Sequence, residues 1–220
     1  MLAAGYEGLG RMRETARRAS CRPHLVLYTS NDYAKANDGM FPPLSPIPGM
    51  LYPDPTICET SLCYGIDNLC EFDLQGADQT FEDRMQRDPF NDWSFVYLGY
   101  FVENEDQLMA FADAYRDTIQ QDRVFDADLP VGKGEGTNGG DTLLRLRSLE
   151  SLKSSNNPLA ERAHEIPVVI EWPENHRYPG GHVVYLDGHR EYVDYPGKFP
   201  MTPAAIAELR ALDNFAPHMP

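Results

Sequence analysis

The stretch GHVVYLDGHREYVDY, residues 181–195, constrains the fold more than any other segment of the chain. Two β-prone runs flank Asp187-Gly188, a pair favoured in tight hairpin turns because it accepts positive φ. A two-residue turn sets Leu186 opposite His189 and Tyr185 opposite Arg190. Side chains alternate across a strand, so this register puts Val183, Tyr185 and Tyr192 on one face, and Val184, Leu186 and Val193 on the other. A lone hairpin is marginal in water and needs further strands. IPVVIEW (166–172) and WSFVYLGYFV (93–102) offer them, both rich in β-branched and aromatic residues.

The rest of the chain supplies helices. Leu9, Met12, Ala16, Ala19, Val26, Ser30 and Tyr33 recur at steps that place them on one helical face, which predicts a helix over 8–38. Arg11, Arg13, Arg17 and Arg18 lie largely off that face. Pro23 predicts a kink, because it has no N–H to donate. Asn37-Asp38-Gly39 predicts the end, with Gly39 suited to a left-handed cap. Asn104 predicts the N-cap of a second helix reaching about Gln121, with Leu108, Ala112, Tyr115 and Ile119 inward. Thr202-Pro203 predicts the start of a short C-terminal helix carrying Ile206, Leu209 and Leu212. Residues 142–152 fit either helix or strand.

The expected organisation is therefore α+β within one domain, 1–220. An N-terminal helix (1–38) is followed by a loop-rich segment (39–92), a sheet region with an inserted helix (93–200), and a short helix and tail (201–220).

With a formal net charge of −15, the chain is a poor partner for phosphate backbones, so nucleic-acid binding is not expected. Hydrophobic residues make up 42 %, enough for a packed core. No run approaches the roughly 18 apolar residues of a membrane span. Cys58, Cys63 and Cys70 lie close together in the loop-rich segment. Their spacings do not match tight C-x-x-C zinc pairs, and they leave a disulfide among the three open if the chain is exported. Cys21 suits burial as a small hydrophobe.

Two places invite a chemical reading. The loop DADLPVGKGEGTNGGD, 126–141, carries Asp126, Asp128, Glu135, Asn138 and Asp141 among glycines. Hard oxygen ligands on a bendable loop suit Ca²⁺, although the EF-hand spacing is absent and such loops are often only solvated. Its Gly132–Gly136 run lacks the spacing of a phosphate loop. The second place is the hairpin, with His176, His182, Asp187 and His189. The turn explains Asp187 and Gly188, and the strand pairing does not bring the three histidines together. A structural role for His176, pinning Pro179-Gly180-Gly181, follows. Neither G-x-S-x-G nor H-E-x-x-H occurs, so no catalytic residues are expected.

Two segments carry a family resemblance. Residues 11–43 hold Arg17-Arg18-Ala19-Ser20-Cys21, then Tyr33-Ala34, Asn37-Asp38-Gly39 and Phe41-Pro42-Pro43. Residues 175–200 hold His176 followed by Asp187-Gly188 on the hairpin. Together they resemble planctomycete-type pilin-like proteins, which are similar to the major pseudopilin of type II secretion. Ten residues separate His176 from Asp187, one more than that pattern usually holds. The resemblance implies a pilin fold, with a long N-terminal helix on an antiparallel sheet. It implies a structural subunit of a type II secretion or type IV pilus-like filament, partnered by other such subunits and by the assembly machinery. It also implies a location in the cell envelope and an apolar anchor with a basic leader ahead of Met1. Ca²⁺ is a feature of similar pseudopilins. A stand-alone, Ca²⁺-dependent extracytoplasmic binding module on the same fold is the alternative, and a hydrolase using the His/Asp cluster is a distant third.

Overall fold

The computed structural model describes residues 22–54, 95–175 and 178–215. These residues form an α+β arrangement of helices and antiparallel strands. The elements are α1 (Arg22–Ala36), β1 (Phe95–Tyr97), α2 (Glu105–Gln120), β2 (Leu129–Pro130), β3 (Thr142–Leu143), α3 (Leu149–Ser154), β4 (Pro167–Glu171), β5 (Gly180–Tyr185), β6 (Arg190–Asp194) and α4 (Pro203–Asp213). The main sheet has the order β1-β4-β5-β6, and β2 pairs separately with β3, all antiparallel.

The expected helix over 8–38 is described only from Arg22 to Ala36, so its first half and the approach to Pro23 lie outside the described residues. Val26 and Ser30 are buried as the periodicity requires, joined by Leu27 and Ala34. Asp38 and Gly39 both take positive φ, and Gly39 N–H donates back to Ala34 O, which ends the helix where expected. The first part of the loop-rich segment is well packed. Phe41, Leu44, Met50, Leu51 and Tyr52 are all buried, and Leu51 O accepts from Tyr97 N–H.

The expected strand 93–102 is shorter than its composition suggests. Among the described residues, Phe95–Tyr97 pair with β4 and Leu98 N–H still reaches Val168 O. Gly99, at φ +71, turns the chain out of the pleat. Beyond it, Leu146 N–H bonds Gly99 O and Phe101 N–H bonds Leu144 O. The ambiguous 142–152 stretch becomes both things, β3 and then α3. Both capping expectations are met. Asn104 Oδ1 accepts from Gln107 N–H at the start of α2, and Thr202 Oγ1 accepts from Ala205 N–H at the start of α4.

Register assigns the two faces of the sheet. Val96, Ile170 and Val183 stand in one row; Tyr97, Val169 and Val184 stand in another on the opposite face. α1 packs on β4 and β5. Tyr97 donates its hydroxyl to Pro42 O at 2.8 Å, so the chain leaving α1 closes over the Tyr97 face. The other face carries Gly181, whose Cα lies so near Met201 that a Cβ would stand 2.9 Å from Met201 Cε. Met201 leads into α4, which packs on α2. Every residue of β4 is consequently buried. Burying an aliphatic side chain such as Val169 or Ile170 stabilises by about 1.5–3 kcal/mol, so this strand holds the layers together.

Candidate functional site

The hairpin forms, but its register is one residue away from the expected one. Val184 pairs with Arg190 and His182 with Tyr192. Tyr185 N–H bonds His189 O and Gly188 N–H bonds Tyr185 O, leaving Leu186, Asp187 and Gly188 as a three-residue loop. Gly188 takes φ +92, as a left-handed residue after a turn must, whereas Asp187 does not have positive φ. A one-residue change flips a strand's side chains to the other face. Tyr192 therefore joins His182 and Val184, not Val183 and Tyr185.

Asp187 serves the loop instead. Its Oδ1 accepts from His189 N–H at 3.0 Å and lies 2.6 Å from His189 Nδ1. Partial burial pushes this carboxyl upward, but its hydrogen bonds and charge contact with His189 outweigh that and hold it below its ordinary value. The His189 ring stacks on Tyr185, centroids 4.4 Å apart. Burial, with Glu191 adding to it, pushes the Tyr185 phenol up to about 12. His176 lies outside the described residues.

The corrected register exposes a row that the sequence reading missed: Glu171, His182 and Tyr192 side by side across β4, β5 and β6. Glu171 is fully buried. Its Oε2 lies 2.7 Å from His182 Nδ1 and accepts His182 N–H at 2.9 Å. The His182 ring meets Tyr192 edge-on at 5.3 Å. One carboxylate oxygen thus holds both the backbone and the ring of its neighbour, which fixes the imidazole's orientation. The signal was present in IPVVIEW, where a glutamate interrupts an apolar strand.

The Asp-rich loop is organised around an arginine. Arg145 is buried; its Nη1 donates to Asp126 O and its Nη2 to Phe41 O, at 2.8 and 2.7 Å. Asp128 Oδ1 accepts from Arg145 N–H at 2.8 Å. Asp141 lies at the far end of the β2–β3 pair, with its O accepting from Val131 N–H. Asp126, Asp128 and Asp141 are therefore not gathered around one point. Among the described residues no three His, Cys, Asp or Glu side chains form a metal-holding group. Asp128's position is explained by the Arg145 backbone. Cys58, Cys63 and Cys70 lie outside the described residues.

An open groove of about 1060 Å³ lies between the outer face of α2 and the 133–139 loop. Gln107 fastens its floor: Nε2 donates to Gly136 O at 3.1 Å, and Oε1 accepts from Glu103 N–H at 2.8 Å. Arg162 Nη1 stands 2.9 Å from Glu103 Oε1, a charge contact rather than an aligned hydrogen bond, and Nη2 bonds Asn138 Oδ1. Burial pushes the Glu103 carboxyl above its ordinary value. Arg162 opposes that shift and nearby Glu165 adds to it. Among the described residues no helix is long and apolar enough to cross a membrane. Comparison with family models, curated proteins and solved structures finds no match for the chain.

Proposed function

We propose that the chain is a structural subunit of a pilus-like filament, of the pseudopilin or type IV pilin kind. The observation that supports this most is where the two resembling segments meet. They lie more than 130 residues apart at their nearest ends (43 and 175), yet Leu27 of the first packs at the Gly188 turn of the second, its Cδ2 3.9 Å from where a Cβ would stand. α1 also lies across β4 and β5, the helix-on-sheet order that the resemblance implies. In this reading the work is mechanical. The N-terminal helix packs inside the filament, and the sheet and loops form its outer surface. The pinned Glu171–His182 pair and the Asp187–His189 loop then serve rigidity rather than turnover.

The test is immunogold electron microscopy of sheared envelope material from native cells, with antibody against the folded chain, combined with in-cell crosslinking. Decorated filaments and a ladder of crosslinked copies are the expected result. A protein recovered only as free single copies, with no ladder, would overturn the assignment.

A further inference from the structure

The charges of the chain are strongly divided. Residues 1–22 hold five arginines and two glutamates, a net +3, so the remainder carries −18 and the whole chain −15. Part of that negative charge lines the groove beside α2. Glu103, Asp106, Asp113, Glu135 and Glu165 all border it, against Lys133 and Arg162. Arg162 is already engaged with Glu103 and Asn138. Asp106 and Glu165 are exposed, and neither has a Lys or Arg within ion-pair distance among the described residues. Glu103 adds a second kind of observation. Its side chain is only 10 % exposed, and its buried Oε1 at the groove lacks an aligned hydrogen bond.

We propose that this groove receives the arginine-rich segment, residues 11–22, of a neighbouring copy of the same chain. The inference rests on the filament reading, because it needs copies stacked in a repeating order. Charge complementarity favours this occupant: opposite potentials steer encounter and fix register between surfaces. Spacing favours it too. Asp106 and Asp113, the latter also 3.2 Å from Arg116 Nη1, stand seven residues apart on α2, and so do Arg11 and Arg18 in the sequence. Seven residues on a helix such as α2 span about 10 Å. Guanidinium groups suit the site because they can take a carboxylate two bonds at a time while remaining charged. The same segment could instead meet anionic lipid headgroups, and the test separates the two.

A fluorescent peptide of residues 8–22 is titrated against the full-length chain by anisotropy. Saturable binding is expected, weakened about tenfold by Asp106→Arg with Glu165→Arg, two exposed positions whose change should spare the fold. A peptide carrying Arg17→Glu and Arg18→Glu should lose binding to the parent and regain it on the charge-reversed chain. Equal binding by a scrambled peptide of the same composition would overturn the proposal. So would binding that ignores the groove substitutions, or binding seen only on vesicles containing phosphatidylglycerol. Any of those outcomes leaves the filament assignment to the immunogold experiment, which does not use the groove. Unlabelled cells with intact peptide binding would show the reverse failure.

Discussion

At the scale of single residues, two buried polar groups make opposite demands on the fold. Ser30 sits on the inner face of α1, fully buried, and its hydroxyl has no hydrogen-bond partner among the described residues. An unsatisfied buried hydroxyl is a cost that alanine removes. Ser30→Ala should therefore leave stability unchanged or raise it by up to about 1 kcal/mol in urea unfolding; a clear loss would mean that the hydroxyl is satisfied. Glu103 differs because its environment titrates. Its folded pKa is raised, above all by burial. A raised carboxyl favours folding when protonated, and that contribution is lost as pH rises through the folded value. Glu103→Gln keeps the neutral form at every pH. The variant should melt above the parent at pH 7, and the gap should close below the ordinary glutamate range, near pH 4. Arg162 opposes the shift, which keeps the effect small. A variant that melts below the parent at pH 7, with the deficit closing on acidification, would show that the Arg162 contact, not burial, dominates.

At the scale of elements, the β5–β6 loop is the most exacting. Gly188 needs φ +92 and stands against Leu27 of α1. Gly188→Val should destabilise by more than about 1 kcal/mol through backbone strain, and a melting curve matching the parent's would refute the turn geometry. This loop also shows where sequence reading stops. The capping residues Asn104 and Thr202 were legible because a cap is a contact three residues long. Asp187-Gly188 marked a turn just as locally, but its length is set elsewhere. Leu186 and Asp187 donate their N–H groups to Ile166 O and Ala163 O, on the approach to β4. Those remote acceptors favour a three-residue loop over a two-residue one, and nothing within residues 181–195 announces them. The same reason hid the end of β1. The partner that draws Gly99 and Phe101 away from β4 is the 144–146 stretch, more than 40 residues later. The Glu171–His182–Tyr192 row depended on the register and was lost with it. The groove could not be read at all, since α2, the 133–139 loop and the Arg162–Glu165 segment meet only in space.

At the scale of the whole molecule, Arg145 adds a polar tie between stretches that the main sheet does not pair. Its guanidinium bonds Phe41 O, 104 residues earlier, and Asp126 O, while its backbone forms a bridge with Tyr100 and donates to Asp128. The Tyr100 phenol lies alongside, donating to Ala127 O, and burial holds it far above its ordinary range although Arg145 pulls it down. One residue, through its side chain and its backbone, thus ties the segment leaving α1, the strand-like run after β1 and the loop before β2. Replacing it with methionine keeps much of the apolar stem but leaves two carbonyl acceptors without their donor. Each buried acceptor so abandoned costs about 1–3 kcal/mol, so Arg145→Met should lose at least about 2 kcal/mol. Arg145→Lys should recover little, because a single ammonium on a flexible stem cannot present the fork that reaches both carbonyls. The loss should also be felt at a distance. Hydrogen exchange of Phe41–Leu44 and of the β2–β3 pair should accelerate together in the methionine variant, while β5 and β6 stay protected. Acceleration confined to residues next to 145 would mean that the two carbonyl contacts act separately and that Arg145 does not join these parts of the fold.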